Sequence, residues 1–436
     1  ATFASAGIFK ADLPADGLEK RAYNVHLYAD GSILLGGTRN YDGNVDYDPY
    51  LIKLLPDGSL DMSFGDQGWT SYGTSATQYC YTMSVGADVK ILVAGFQQDA
   101  GSGGLDGTVS RFFPNGDIDT DFSGFEGNVT IDDGGANETV YGVVGDANGN
   151  VYAVGTRNER GLLAKLLTNG LSDNSWNGDG IALLESDEGN VILRDAVLTP
   201  DNHLLVVGNA GDKGIIAKYN PDGGLNQEFG TATLAGTTLV DFWSDQPTDL
   251  VDIKLASNGD ILVTGTGTYD NLDDDIITVV LNADGTFKND FGQMGEAFFH
   301  QGNTDFGAAS AWDADEEKIV TVGVVNGDLA VIRHLAPSQP SALHTVAAAV
   351  DALQLSPNPA TAGSAIQLDY ELQESSLVQV TLQAIDSRQL NRLLNTEQQA
   401  GTQSETLILP NDLPAGLYTL QIRTDLGLST LRLMVE

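Results

Sequence analysis

The chain has 436 residues and a formal net charge of −39, because 60 acidic side chains outnumber 21 basic ones. A chain of this length exceeds one ordinary core, so several domains or a repeat architecture are expected. A net charge of this size repels phosphate backbones and anionic membranes, which argues against a nucleic-acid partner. No run approaches the roughly 20 apolar residues of a membrane span. If the protein is exported, residue 1 follows a removed signal peptide.

An apolar run that closes on glycine recurs six times, and its first two copies read SILLGGT and KILVAGF. These repeat glycines, spaced 53 to 60 residues apart, are Gly37, Gly95, Gly155, Gly208, Gly265 and Gly323. Five copies continue into a second strand and an Asp-Gly or Asn-Gly turn, which requires a positive φ. An aromatic residue then follows, and it is predicted to be a hydrophobic anchor at one structural position. The five anchors are Phe64, Phe122, Trp176, Phe229 and Phe291.

Each repeat unit contains four strand-like segments, which in the first unit are YNVHLY, SILLGGT, YLIKLL and GWTSYG. A four-stranded meander cannot bury both of its faces alone, so the units must stack on one another. Residues 1–335 are therefore predicted to form an all-β, six-bladed β-propeller. The alternation and glycine density exclude a helical solenoid. The only cysteine, Cys80, lies in a strand-like run and is expected to be a small buried hydrophobic residue.

The two ends of the repeat region complement each other. The sixth unit stops at Leu335 without the turn, anchor and outer strand of the other units. The N-terminus contains these pieces, because Phe3 and Ile8 have the spacing that Phe64 and Trp69 have in the first unit. We therefore predict that Phe3 and Ile8 complete the last blade and close the ring. Without this closure, sheet edges would stay unpaired.

The propeller region resembles a known family in three features. They are the apolar strand ending in glycine, the Asn/Asp-Gly turn, and the Asp-x-x-Phe sequence at Asp61–Phe64 and Asp119–Phe122. Together they resemble the delta-60 repeat family of bacterial exported propellers over roughly residues 1–335. The resemblance implies the fold, whereas the family as a whole implies no reaction.

The composition changes after Leu335. Residues 336–352 are rich in small residues and are predicted to be a linker. Residues 353–436 contain short alternating segments such as IQLDYEL and LYTLQIR, which predict a small antiparallel β-sandwich. PNPA at 357–360, LPAGLYTLQI at 413–422 and the terminal apolar strand resemble the type A sorting domain of type IX secretion cargo. This resemblance implies recognition by the outer-membrane translocon and a final location outside the cell or on its outer surface.

Two loops, each joining the second and third strands of its unit, carry acidic clusters. Each cluster is found in one unit only. Hard oxygen donors in a loop suit calcium, although both loops lack the glycine and the terminal glutamate of an EF-hand. Simple solvated acidic side chains are the alternative. The candidate calcium ligands are Asp42, Asp46, Asp48, Asp270, Asp273 and Asp275. Three neighbouring tyrosines suit carbohydrate or protein contact, or else loop packing; they are Tyr41, Tyr47 and Tyr269.

The sequence contains no catalytic constellation. Its five histidines are scattered, and it lacks a phosphate loop, a nucleophile elbow and a paired zinc motif. We therefore expect a non-enzyme, a secreted or cell-surface binding or adhesion propeller with a glycan or protein ligand. One alternative is a subunit that self-assembles into an extracellular fibre or sheath. Another is a polysaccharide hydrolase or lyase, for which no residues stand out.

Overall fold

The chain divides into two units, Ala1–Ser338 and Gln339–Glu436, and each is described by itself. The computed structural model describes residues 3–4, 8–10, 20–40, 47–73, 77–98, 104–123, 127–132, 136–230, 234–241, 246–269, 273–292, 295–299, 305–313, 318–335, 351–373, 375–384, 389–411, 413–414, 416–424 and 427–435. The long regular elements within these ranges are β-strands. None of these residues belongs to a helix long and apolar enough to cross a membrane.

The described part of the first unit contains six antiparallel sheets, numbered here in chain order. Sheet 1 consists of β1 (Lys20–Leu27), β2 (Ile33–Asn40), β3 (Tyr47–Leu54) and β4 (Trp69–Ser71). Sheet 2 consists of β5 (Gln78–Val85), β6 (Ile91–Gln98), β7 (Leu105–Phe112) and β8 (Asn128–Ile131). Sheet 3 consists of β9 (Glu138–Gly145), β10 (Val151–Arg157), β11 (Arg160–Leu166) and β12 (Ile181–Leu184).

The remaining sheets of this unit follow the same order. Sheet 4 consists of β13 (Val191–Leu198), β14 (Leu204–Ala210), β15 (Lys213–Tyr219) and β16 (Thr237–Val240). Sheet 5 consists of β17 (Thr248–Leu255), β18 (Ile261–Tyr269), β19 (Asp273–Leu281) and β20 (Glu296–Phe299). Sheet 6 consists of β21 (Phe306–Trp312), β22 (Lys318–Val325) and β23 (Asp328–Leu335). Five sheets are thus four-stranded meanders, and the sixth has three strands among the described residues.

Hydrophobic side chains fill the spaces between successive sheets, and the repeated aromatic anchors lie among them. All five anchors are buried, with at most 3% of their surface exposed. The backbone N–H after an anchor donates to a carbonyl in the turn of the next sheet. These bonds join Gly65 to Asn115, Ser123 to Asn169, Asn177 to Asp222 and Gly230 to Asp284, at 2.7 to 2.9 Å. The anchor position predicted from the repeat is confirmed, and so is the positive φ of the turn glycines, such as Gly116 at 89°.

The N-terminus contacts sheet 1 in the same way. Phe3 packs against Ile52 and Leu54 of β3, and the N–H of Ala4 donates to the carbonyl of Asp57 at 2.7 Å. Phe3 therefore has the same position relative to the turn of sheet 1 that Phe64 has relative to the turn of sheet 2. Ile8 is 60% exposed. Closure of the ring by these residues stays a prediction.

Sheets 1 and 6 leave apolar side chains uncovered, unlike the other sheets. On β1, Val25 is 68% exposed, whereas Ile253, two residues past the corresponding bulge in sheet 5, is 1% exposed. On β23, Leu329 is 93% exposed and Val331 is 73% exposed. Elsewhere in this unit, the neighbouring sheet covers the corresponding side chains. In sheets 1 and 6, the described residues leave them uncovered.

The second unit contains seven described strands: β24 (Asp351–Ser356), β25 (Ala365–Leu372), β26 (Ser376–Ala384), β27 (Gln389–Gln398), β28 (Gly401–Ile408), β29 (Gly416–Thr424) and β30 (Gly427–Val435). They form two antiparallel sheets, in the orders β24-β25-β28 and β27-β26-β29-β30. One core, which includes Leu368, Val380 and Leu420, unites side chains from both sheets. This packing makes the unit a small β-sandwich. Its first strand begins two residues before the predicted domain start at 353, and residues 336–350 of the predicted linker lie outside the described ranges.

Candidate functional site

The first strand of every sheet carries a β-bulge at the same place. In sheet 3, Val140 pairs with Gly155 and Gly142 pairs with Val154, so Tyr141 has no partner on β10. The other first strands skip one residue beside the repeat glycine in the same way. We call the six unpaired residues the bulge ring: Tyr23, Tyr81, Tyr141, Arg194, Val251 and Ala308. A bulge redirects its side chain, and here the redirection recurs in every sheet.

The bulge explains why the repeat requires glycine. A Cβ atom on Gly155 would lie 1.9 Å from the carbonyl oxygen of Thr139, and one on Gly95 would lie 1.8 Å from that of Tyr79. At all six repeat glycines this distance is between 1.8 and 2.1 Å. Only a residue without a side chain permits the bulged strand to approach so closely. The glycines therefore fix the backbone geometry of the bulge ring.

The six first strands line one cavity of about 550 Å³, and all six members of the bulge ring are among its lining residues. Tyr23, Tyr81 and Tyr141 lie on three successive sheets, and Arg194 lies on the fourth. The ring centroids of Tyr23 and Tyr81 are 6.2 Å apart, and those of Tyr81 and Tyr141 are 5.3 Å apart. The guanidinium carbon of Arg194 lies 4.9 Å from the centroid of Tyr141. We call these four residues the aromatic arc.

The aromatic arc continues outward across sheets 1 and 2. The ring of Tyr81 lies 5.6 Å from that of Phe96, which stacks on Tyr79 at 4.9 Å. Tyr79 in turn stacks on Tyr47 at 4.6 Å. Tyr47 is the first residue of β3, so a continuous band of rings runs from the cavity to the start of a third strand. Such a band offers flat apolar faces together with phenol hydroxyls.

The polar groups of the cavity are engaged with one another. Nζ of Lys254 donates a hydrogen bond to Asp252 and lies 3.6 Å from the carboxylate of Asp195. Asp195 also accepts the N–H of Ile253 at 3.2 Å, and Asp252 accepts that of Ser310 at 2.9 Å. The two bonds to backbone N–H groups, and the approach of Lys254 to Asp195, each join two neighbouring sheets. The carboxylates therefore have a structural role.

Burial and the neighbouring charges set the pKa values of Asp195 and Lys254. Burial raises the pKa of Asp195 to about 6; the charge of Lys254 opposes this shift and that of Asp252 adds to it. Burial works to lower the pKa of Lys254, but the attraction of Asp195 and Asp252 outweighs it, so this pKa is raised. Lys254 is therefore a cation at neutral pH and holds the two carboxylates together.

The structure describes only some of the residues predicted from the acidic loops. Tyr41, Asp42, Asp46 and Asp270 lie outside the described residues. The structure describes Tyr269 and Asp273 by their backbones alone, where they pair across β18 and β19. Asp48 is half-buried in β3, and Asp275 is buried in β19. Of the predicted site residues, Tyr47 is the one whose described ring contacts join it to the aromatic arc.

All four residues of the aromatic arc were missed by the sequence interpretation, although a signal for them existed. Tyr81 stands fourteen residues before Gly95, and Tyr141 and Arg194 have the same offset from their repeat glycines. The offset holds in five units, and in the sixth it is fifteen residues. Inspection of this column of the repeat would have revealed three tyrosines and an arginine in succession.

Two segments of the chain, residues 29–64 and 87–122, match a family described as a domain of unknown function (DUF5122) beta-propeller. Each segment begins after a first strand and ends on an anchor, Phe64 or Phe122. The first unit is a β-propeller. No curated protein matches the sequence.

Several solved structures are similar to the chain. One is PorZ, described as an essential bacterial surface component of the type-IX secretion system of Porphyromonas gingivalis, with a TM-score of 0.37, 10% identity, and coverage of 98% of this chain and 61% of that one. Another is virginiamycin B lyase from Staphylococcus aureus, with a TM-score of 0.36, 10% identity, and coverage of 73% and 85%. A third is the beta-propeller domain of the Trilobed protease from Pyrococcus furiosus, with a TM-score of 0.37, 8% identity, and coverage of 88% and 96%. The chain thus spans less than two thirds of PorZ, and none of these likenesses assigns it an activity.

Proposed function

We propose that the propeller is a non-catalytic binding module, secreted or held on the outer cell surface, and that the aromatic arc is its ligand site. One observation carries the proposal. All six sheets have the same bulge, yet large aromatic and cationic side chains occupy it on four successive sheets, while Val251 and Ala308 occupy it on the other two. The backbone repeat accounts for the bulge but not for this grouping.

The geometry favours a saccharide as the ligand. The cavity, of about 550 Å³, lies within the range of roughly 300–1,000 Å³ typical of small-molecule sites. Tyrosine rings offer apolar faces on which sugar rings stack, and their hydroxyls offer hydrogen bonds. The net charge of −39 disfavours an anionic polymer. A neutral or weakly charged glycan therefore fits better than an acidic one, and a protein ligand is the alternative.

A glycan array probed with the purified chain tests this proposal. We expect Tyr81→Ala and Tyr141→Ala each to weaken binding by tenfold or more, since loss of a stacking aromatic at a binding centre costs about 1.4 kcal/mol or more. Val251→Ala, at the bulge of sheet 5, is the matched control and is expected to bind as the parent does. Binding that survives both tyrosine substitutions would contradict the assignment, and a parent that binds no glycan would exclude a saccharide ligand.

A catalytic role is not proposed. The carboxylates of Asp195 and Asp252 already accept backbone hydrogen bonds, and Lys254 lies between them. His26, which also lines the cavity, has its ring centroid 4.7 Å from that of Tyr28, and burial lowers its pKa. These contacts support structural roles for the ionisable groups. Hydrolysis or elimination products in a screen of polysaccharides would contradict the proposal.

The second unit is proposed to be the sorting domain for type IX secretion, with residues 353–436 recognised by the translocon. The resemblance in PNPA and LPAGLYTLQI carries this proposal, and the contacts of these motifs support it. Asn358 accepts the N–H of Met434 at 2.9 Å, and the N–H of Ala360 donates to the carbonyl of Met434 at 2.8 Å. The Tyr418 hydroxyl donates to the carbonyl of Pro414 at 2.7 Å. The PNPA motif thus contacts the terminal strand β30, and the Tyr418 bond fixes the start of the second motif.

Deletion of residues 353–436 tests the sorting role. A β-propeller with its own core should fold without the sandwich. We therefore expect the truncated chain to be folded and retained in the periplasm, where cell fractionation and immunoblotting would find it. Normal appearance of the truncated chain outside the cell would contradict the role.

Self-assembly into a fibre or sheath is the second candidate, and the uncovered side chains of sheets 1 and 6 favour it. Val25 on β1, with Leu329 and Val331 on β23, are more than two thirds exposed. Six blades that close within one chain, with Phe3 and Ile8 in the last blade, would cover these surfaces. A second copy could cover them instead by pairing its sheet 6 with sheet 1. Electron micrographs separate the cases, because single discs indicate intramolecular closure and regular filaments indicate assembly.

A further inference from the structure

A cluster of three carboxylates lies where sheets 2 and 3 meet. Asp106 is the second residue of β7, Asp132 directly follows β8, and Glu138 is the first residue of β9. One carboxylate oxygen from each lies within 4.8 Å of the others. No other group of three or more acidic, histidine or cysteine side chains comes together in this way among the described residues.

The pairing of the strands brings like charges together. Gly107 pairs with Ile131, so the next position along this antiparallel pair places Asp106 across from Asp132. Like charges directly opposite each other on neighbouring strands are destabilising. The fold therefore places two acidic residues at an unfavourable position and adds a third from the next sheet.

Glu138 provides a separate observation. It has no exposed surface, and neither of its carboxylate oxygens accepts a hydrogen bond. Its one described partner is Arg157, directly opposite on β10, whose Nε lies 3.4 Å from Oε1. A buried carboxylate without a hydrogen-bond donor is costly, because burial removes the water that would otherwise solvate it. The Glu138 carboxylate thus faces the other two acids with the Arg157 guanidinium beside it and no hydrogen bond to either oxygen.

We propose that Asp106, Asp132 and Glu138 bind a divalent cation, calcium, which joins sheets 2 and 3. When all three carboxylates are ionised they carry three negative charges and Arg157 carries one positive charge, so a divalent ion brings the sum of these four groups to zero. Calcium binds carboxylate oxygens at about 2.3–2.6 Å, so a single ion can span oxygens up to about 4.8 Å apart. Backbone carbonyls and water complete its coordination.

This site differs from the two acidic loops considered from sequence. Its residues come from the ends of three strands in two sheets, so spacing along the chain does not reveal it. It also lies near the aromatic arc, because Glu138 is three residues before Tyr141 on β9. An ion here would fix the beginning of the strand that carries Tyr141.

Two measurements on the full chain test the proposal. One is calorimetric titration of EDTA-treated protein with calcium chloride, and the other is thermal unfolding with and without calcium. We expect half-saturation at or below about 1 mM calcium and a rise in Tm of about 2–6 °C in 5 mM calcium. Glu138→Gln and Asp106→Asn should each abolish the rise. Circular dichroism in EDTA first establishes that both variants are folded, so a missing rise reports the loss of the ion.

Two control variants sharpen the test. Glu185→Gln removes an exposed acid of sheet 3 that pairs with Arg160, and it should keep the full rise. The double variant Asp42→Asn with Asp46→Asn disables the first acidic loop and should also keep it. Absence of calcium binding by the parent would overturn the proposal. So would a rise that persists in folded Glu138→Gln, or one that disappears only in the loop variant.

Discussion

The two sides of the bulge ring share a backbone and differ in their side chains. On one side, Tyr23, Tyr81, Tyr141 and Arg194 form a continuous arc of ring and cation contacts. On the other side, Val251 and Ala308 occupy the same bulge in sheets 5 and 6. The repeat glycine beside each bulge is equally crowded on both sides. The comparison separates what the fold requires from what a ligand site would require.

The fold requires the glycine, because a carbonyl oxygen occupies the place of its Cβ atom. It places no such demand on the bulge residue, which extends into the cavity and tolerates tyrosine, arginine, valine or alanine. A position that the backbone leaves free is where function can vary without a loss of stability. Differences between the two sides should therefore appear mainly in binding and only weakly in folding.

Substitution of the repeat glycines should have the largest effect, and an equal one on both sides. Gly208→Ala places a Cβ atom 1.9 Å from the carbonyl oxygen of Ile192, and Gly265→Ala places one 2.1 Å from that of Asp249. Each should destabilise the propeller by about 3 kcal/mol or more, because the bulged strand must move. Urea unfolding measures the loss. Gly224→Ala, in an exposed turn where the nearest atom is a carboxylate oxygen 3.3 Å away, is the control. A loss at only one of the two repeat glycines would break the comparison.

The repeat pattern predicted most of the propeller and little of its site. The anchors and the turn glycines recur at fixed positions, because every sheet meets its neighbour in the same way, and burial of residues such as Phe122 follows from that recurrence. Cys80 is likewise buried, as expected from its strand-like surroundings. The bulges were not predicted, because a bulge depends on the pairing of two strands and leaves no spacing change within either one. Tyr81 therefore resembled an ordinary strand residue in the sequence.

The carboxylate cluster was missed for a related reason. Asp106, Asp132 and Glu138 are separated by 26 and 6 residues in the sequence, and only the pairing of β7 with β8 and the packing of β9 bring them together. The acidic loops were noticed because their residues are adjacent in the chain. Adjacency, however, does not establish convergence on one point.

Removal of the N-terminus should have the next largest effect, and it tests whether the two sides belong to one closed ring. Deletion of residues 1–10 removes Phe3, which packs on β3, and the hydrogen bond from Ala4 to Asp57. Burial of one large apolar side chain contributes about 1.5–3 kcal/mol, so we expect a loss of about 2–3 kcal/mol in urea unfolding. Removal of ten residues from the predicted linker, 337–346, is the control. Unchanged stability of the N-terminal deletion would refute the closure.

The pH dependence of stability should show a smaller effect, located at the boundary between the two sides. Asp195 follows Arg194 in the chain, and burial raises its pKa to about 6. Burial also raises the pKa of Glu296 to about 7. A carboxyl whose pKa is raised by folding favours the folded state while it is protonated, so this stability is lost as the pH rises through the folded pKa. Carboxyls with lowered pKa values, such as Asp61, do not contribute here, because above pH 5 they are ionised in both states.

We therefore expect Asp195 and Glu296 to lower the free energy of unfolding between pH 5 and pH 7.5, against the opposite contribution of His26, whose pKa burial lowers. Asp195→Asn should reduce that fall by about 1–2 kcal/mol, because its amide does not titrate and can still accept the N–H of Ile253. Urea unfolding at several pH values measures the slope. Asp222→Asn, in an exposed turn, is the control and should leave the slope unchanged. A parent and an Asp195→Asn variant with parallel pH profiles would show that Asp195 is not the titrating group.

The smallest effects should come from the bulge residues themselves. Tyr141 lies between Tyr81 and Arg194, and each exposed aromatic or cation–π contact contributes about 0.5–1 kcal/mol. Tyr141→Ala should therefore cost about 1 kcal/mol, whereas Ala308→Ser, at the exposed bulge of sheet 6, should stay within about 0.5 kcal/mol of the parent. A double-mutant cycle of Tyr141→Ala with Arg194→Ala measures the coupling, which should be about 0.5–1 kcal/mol if the two side chains hold each other in place. A coupling near zero would mean that the arc is a row of independent side chains, and a saccharide would then have to order them when it binds.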